Sequence, residues 1–195
     1  MEQLKIESIH ALESGPICLR SYLNYLCLKD AGVRCLFQNN NKKLKEDLNN
    51  LRDDLEIDRW VSPLEFARRI KDYGFMPEMI ITDSKDISKY KDSFPLFACL
   101  KNDSNENVLL YVHDINNKGI IAKDINYNDV LIDYNDFEKA FSKRLIVIKD
   151  YSEFVKKYTI KYNFKSNPIS SFTEDDAGII IGGLLEILDC LLSIK

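Results

Sequence analysis

Two histidines and five cysteines are the side chains in this 195-residue chain best suited to nucleophilic, proton-transfer or metal chemistry. A cysteine becomes a nucleophile when its surroundings hold it as thiolate, and an imidazole is the usual group to take the proton. Cys18 falls in the first turn of an expected helix, where the macrodipole would lower its pKa, and His113 falls beside an expected hairpin turn. Each also has a plainer reading. Cys18 can pack against Leu19 and Tyr22 as a small hydrophobe, and His113 can be a satisfied or solvent-facing turn histidine. Cys18, Cys27, Cys35, Cys99 and Cys190 are scattered, without CxxC spacing and mostly among apolar neighbours, so a majority of buried free thiols is expected. His10 and His113 stand near no cysteine or acid pair at ligand spacing, so no metal site and no cofactor is expected.

The elements that must position these residues divide the chain in two. At Ser14-Gly15-Pro16 a small polar residue precedes a proline suited to a helix's first turn, and Leu19, Tyr22, Leu23 and Leu26 follow at helical spacing. That predicts a helix over residues 14–29, stopped by Ala31-Gly32. Leu44, Leu48, Leu51 and Leu55 predict a half-exposed amphipathic helix within 39–58. Ser62-Pro63-Leu64-Glu65 starts another, with Phe66, Ile70 and Tyr73 inward and Gly74 closing it. From Met79 the chain turns to short β-rich runs at 79–81, 94–100, 108–112, 119–122, 130–132 and 145–148. Asn116-Asn117-Lys118-Gly119 supplies residues that tolerate positive φ, which predicts an antiparallel hairpin of 108–114 with 120–124. Helices first and strands second predict an α+β fold, with residues 1–150 as the domain and 151–195 as an extension.

Composition narrows the function. An apolar share of 45% supports one sizeable core, and 27 basic against 31 acidic side chains leave a net charge of −4. There is no basic field for nucleic acid. The opening MEQLKIESIHALES lacks the basic start and apolar run of a signal peptide, and no stretch reaches the ~20 apolar residues of a membrane span. A cytoplasmic protein is expected.

The stretch Ser14-Gly15-Pro16-Ile17-Cys18-Leu19-Arg20-Ser21-Tyr22-Leu23-Asn24-Tyr25 resembles the papain-like peptidases that trim double-glycine leaders in bacteriocin exporters. Ser62-Pro63-Leu64-Glu65-Phe66 through Gly74, Phe94-Pro95-Leu96-Phe97-Ala98, the hairpin, Tyr134-Asn135-Asp136-Phe137-Glu138 and Leu145-Ile146-Val147-Ile148 follow in the family's order, over roughly residues 5–150. The Leu19-Arg20 pair is also similar to the related papain-like acyltransferases of natural-product biosynthesis, such as the butirosin pathway. The resemblance implies a papain-like cysteine peptidase fold, with N-terminal helices packed on an antiparallel sheet. It also implies four catalytic positions: a nucleophile at Ser14, a histidine position at Asn107, an orienting acid at Asp124 and an oxyanion donor at Ser8. The family's cysteine, histidine and glutamine are replaced at three of these, and only Asp124 keeps its type. A serine with an amide where the base should be is essentially unactivated.

The expected function is therefore binding by a catalytically degenerate domain that recognises a leader-like peptide or a carrier-bound acyl chain in a bacterial peptide-export or natural-product pathway. The alternative is an active acyltransferase or amide-forming enzyme using Ser14 or Cys18 with His113. In the tail, Ser171 to Asp176 resembles a helix cap before an apolar run interrupted by Gly178, Gly182 and Gly183. That run is expected to pack on the domain or on a second copy as a homodimer contact, or to mimic a Gly-Gly leader.

Overall fold

The computed structural model describes residues 2–6, 9, 11–38, 42–57, 62–124 and 126–159. Four helices come first: α1 (Ala11–Lys29), α2 (Ala31–Gln38), α3 (Lys42–Ile57) and α4 (Pro63–Asp72). They follow a two-residue strand, β1 (Glu2–Gln3), and precede β2 (Met76–Ile81), a 3-10 segment (Ser84–Ser93), β3 (Leu96–Lys101), β4 (Asn107–Asn116), β5 (Gly119–Lys123) and β6 (Asp129–Asp133). The chain continues through α5 (Tyr134–Ala140), β7 (Phe141–Asp150) and α6 (Ser152–Tyr158). Among the described residues the strands form one seven-stranded sheet in the order β1-β6-β5-β4-β3-β7-β2, antiparallel except where β1 joins β6. This is the expected α+β architecture, with the N-terminal helices on the sheet.

Strand alternation gives the sheet two apolar faces. Phe97, Cys99, Leu109, Tyr111 and Ile146 face the helices α1–α4 and α6, while Leu96, Ala98, Leu110, Val112 and Leu145 face the 3-10 segment and α5. The helical layer is deep: Leu44, Leu48, Leu51 and Leu55 of α3 are all at most 1% exposed. Their polar flank stays in solvent, as the amphipathic pattern predicts.

Several boundaries differ from the expectation for identifiable reasons. Helix α1 begins at Ala11, so Ser14 lies inside its first turns and not at its cap. Ala31-Gly32 does not merely end α1, because Asp30 caps α2: its Oδ1 accepts from the Gly32 and Val33 amides at 2.7 and 3.2 Å. The last carbonyls of α1 are met by Arg34, whose guanidinium donates to Cys27 O and Leu28 O. Helix α6 places Phe154 and Tyr158 in the helix-side core at 0% and 1% exposure, so the packed body continues past Asp150. The tail from residue 160, with its Gly-Gly, Cys190 and expected dimer contact, lies outside the described residues.

Gly74 closes α4 as expected, and its geometry explains why. Its φ is +97°, and a Cβ there would stand 2.5 Å from the Phe154 amide nitrogen, which donates to Gly74 O at 3.0 Å. Gly74→Ala is expected to cost at least about 1–3 kcal/mol from backbone conformation alone, before the clash that pushes α6 away. Urea unfolding measures it; a loss under about 0.5 kcal/mol would mean the turn is free to rearrange.

Candidate functional site

Ser14 is 4% exposed, and its Oγ accepts a hydrogen bond from the Leu109 amide of β4 at 3.1 Å. The strand leaves that amide available because its pairing with β5 is confined to Val112–Asn116, while β3 covers the other edge. Helix α1 thus lays its first turns on β4.

Asn107 opens β4 on the face it shares with Leu109 and Tyr111, one pleat repeat, or about 7 Å, before Leu109. Its carboxamide bonds to none of the described residues, and an amide cannot take up a proton near neutral pH. Asp124 follows β5 and spends its carboxylate locally. Oδ1 accepts from the Asn128 amide at 2.8 Å and Oδ2 from Asn128 Nδ2 at 3.2 Å, closing the turn into β6. No hydrogen bond joins Asn107 to Asp124. Ser8, at the expected oxyanion position, lies outside the described residues.

The structure does not bring His113 to Ser14 or Cys18. His113 sits at a bulge where β4 slips against β5 between Val112 and Asp114, four residues or about 13 Å along the strand from Leu109. Its Nε2 meets Asp129 Oδ1 at 2.8 Å, and Lys123 Nζ reaches the same oxygen at 2.6 Å. His113 on β4, Lys123 on β5 and Asp129 on β6 thus make a cross-strand row at the sheet end. Cys18 is 1% exposed, and burial, aided by the neighbouring Cys99, pushes its thiol well above the ordinary value. The expected dipole effect is outweighed, and Cys18 behaves as a packed apolar group.

Two features escaped the sequence reading. Asp129, the partner of His113, becomes visible only once the bulge and the β5–β6 register, Lys123 opposite Asp129, are known. Arg20, 4% exposed, places its guanidinium 3.8 Å over the ring of Tyr127, a residue held at φ +62°. Among the described residues no group of three His, Cys, Asp or Glu side chains could hold a metal ion.

Burial raises the Asp129 carboxyl, but the Lys123 ammonium and then His113 outweigh it, and its pKa lies below the ordinary carboxylate value. A depressed folded pKa adds stability above the unfolded value of about 3.9, lost as pH falls through the folded value. Asp129→Asn should therefore destabilise at pH 7 by up to about 1 kcal/mol, given a half-exposed pair, and by nothing near pH 2. Urea midpoints at the two pH values measure this; equal losses at both would assign the effect to shape, not charge.

No protein-family model matches the chain, and no curated protein does. Several solved structures are similar over part of it, two of them as follows. One is a double glycine motif protease from an AMS/PCAT transporter in complex with the leader peptide, at 17% identity and TM-score 0.35, covering 44% of this chain. This chain spans 58% of that protein's length. The other is the peptidase domain of Streptococcus mutans ComA, at 16% identity and TM-score 0.41, covering 46% of this chain and 75% of that one. Among the described residues, no helix is long and apolar enough to cross a membrane.

Proposed function

We propose that this chain is a papain-like domain of the double-glycine peptidase type that binds a leader-like peptide without cutting it. The observation that carries the reading is Asn107. It occupies the strand position on the face where Ser14 meets β4, and it cannot accept the proton that a serine or cysteine nucleophile must give up. The engagement of Asp124 with Asn128 supports the same reading, because an orienting acid has no imidazole to hold. The placement of His113 on Asp129 weighs against the active alternative with Ser14 or Cys18. The peptide belongs to an export pathway in this reading, and a carrier-bound acyl chain is the competing ligand.

Calorimetry with a double-glycine leader peptide and with an acyl-loaded carrier protein, paired with mass spectrometry of both, tests the proposal. The expected result is leader binding with every mass unchanged. Cleavage of the leader, or a covalent adduct on the protein, would overturn the non-catalytic reading. Binding of the acyl carrier alone would replace the peptide as ligand.

A further inference from the structure

At the far end of α1 from Ser14, a cleft of about 290 Å³ opens between the helix, the entry to β3 and the end of β7. Tyr22 is eight residues and Lys29 fifteen residues beyond Ser14, or about 12 and 22 Å along the axis. The cleft is therefore separate from the site described above. Its walls combine aromatic residues, Tyr22 and Tyr25 from α1, Phe94 before β3 and Tyr151 after β7, with the charged Lys29, Asp92 and Lys149.

Part of its polar lining is spent on the protein, with Lys149 Nζ 3.0 Å from Glu78 Oε2, and part is not. Tyr22 is 5% exposed, yet its hydroxyl makes no hydrogen bond with any described residue, and neither does that of Tyr25. Neither oxygen is among the enclosed, unpartnered polar atoms of the described residues, so both hydroxyls are open to the cleft and free to meet water or a ligand. Lys29, also lining the cleft, forms no ion pair among the described residues. Tyr151, by contrast, is fixed, its hydroxyl donating to Asp30 Oδ2 at 2.9 Å. The α1 carbonyls nearby are already met by Arg34, so the vacant hydrogen-bonding capacity belongs to side chains.

We infer that this cleft binds a small aromatic carboxylate, its ring against Tyr25, Phe94 and Pro95 and its carboxylate against the Tyr22 hydroxyl and the Lys29 ammonium. Two phenolic donors and an unpaired cation select an anion, and the aromatic walls select a flat apolar body. Burial first, then the neighbouring Tyr151, Tyr25 and Asp150, raise the Tyr22 phenol above its ordinary value, so it stays a donor at neutral pH. Asp92, which also lines the cleft and has no ion pair among the described residues, would receive an amine if the ligand carries one. The same chemistry could arrive as a free acid or as the C-terminal aromatic residue of a peptide.

The test is ligand-observed NMR titration of the full chain with indole-3-acetate and 3-phenylpropionate, with 3-phenylpropanol as the uncharged control. A dissociation constant on the order of 1 mM is expected for ligands of this size, with the alcohol weaker. Tyr22→Phe, which keeps the packed ring, should weaken the acids about fivefold, the worth of one net hydrogen bond. Lys29→Gln, at an exposed position that cannot threaten folding, should weaken them similarly and leave the alcohol unchanged. A peptide ending in a free Phe carboxylate, compared with its amide, separates the two sources: tighter binding than the free acids assigns the cleft to a peptide end. No saturation up to 10-fold above that constant, or acids indifferent to both substitutions, would overturn the inference.

Discussion

Ser14→Cys alone is expected to leave leader-peptide cleavage at background, while Ser14→Cys combined with Asn107→His is expected to raise it about 10²–10⁴-fold over the single variant. The range is that of a positioned general base. A thiol at residue 14 would feel two opposed influences. The α1 N-terminus favours the thiolate, but the site is only 4% exposed, and Cys18 one turn on shows burial prevailing over the dipole. Without an imidazole, the thiol stays protonated at neutral pH. Asn107→His puts a base on the strand face where Ser14 meets Leu109. Orientation is the remaining obstacle, since both oxygens of Asp124 are held by Asn128. Adding Asn128→Ala should release that carboxylate, although the turn into β6 loses two hydrogen bonds. Alkylation of the residue-14 thiol against pH provides an independent readout, with a new inflection near 6.5 only when the histidine is present. Equal cleavage by the single and double variants would place the base elsewhere and remove Asn107 as the position of a missing base.

The contrast between Asn107 and His113 shows what sequence can carry. Motif order alone assigns Ser14, Asn107 and Asp124 their proposed roles, whereas the hairpin turn at Asn116-Asn117-Lys118-Gly119 is read from local residue chemistry, and the structure contains its pairing of Asn116 with Gly119. Near the turn, local residue chemistry decides the register. Three residues further on, the bulge at His113 depends on packing across several strands, and no local residue announces it. The meeting of His113 with Asp129 across that bulge was therefore not legible.

Helices followed the same division. The leucines of α3 recur at helical steps and were read correctly as an apolar face, because periodicity is a property of the segment itself. Asp30 was overlooked because one residue both follows α1 and caps α2, and a Gly two residues later reads as a stop. Helix α6 is seven residues long and too short to stand alone. It exists because Phe154 stacks on Phe75 with ring centroids 4.6 Å apart and Tyr158 donates to Asp47 at 2.9 Å, contacts made across the whole chain.

Phe97→Ala is expected to cost about 3–5 kcal/mol, a large part of the roughly 5–15 kcal/mol that holds a domain of this size. Phe97 is 1% exposed on β3 and is the point where the helical layer grips the sheet. Its ring meets Phe66 of α4 edge-on at 5.3 Å, Tyr22 of α1 edge-on at 5.8 Å and Tyr111 of β4 at 6.2 Å. Truncation removes the burial of one aromatic ring and three such contacts, and leaves a cavity that α1 and α4 close only by moving. With a urea slope of about 2 kcal/mol per molar, the midpoint should fall by roughly 1.5–2.5 M. Phe137→Ala, on the opposite face where Phe137 stacks on Phe141 at 5.0 Å, is the comparison. It should cost a similar energy and leave α1 seated. Both ends of α1 depend on its seating, so Phe97→Ala should weaken peptide and aromatic-acid binding together at low urea, and Phe137→Ala neither. A midpoint shift below about 0.5 M for Phe97→Ala would mean that α1 docks on the sheet without that ring.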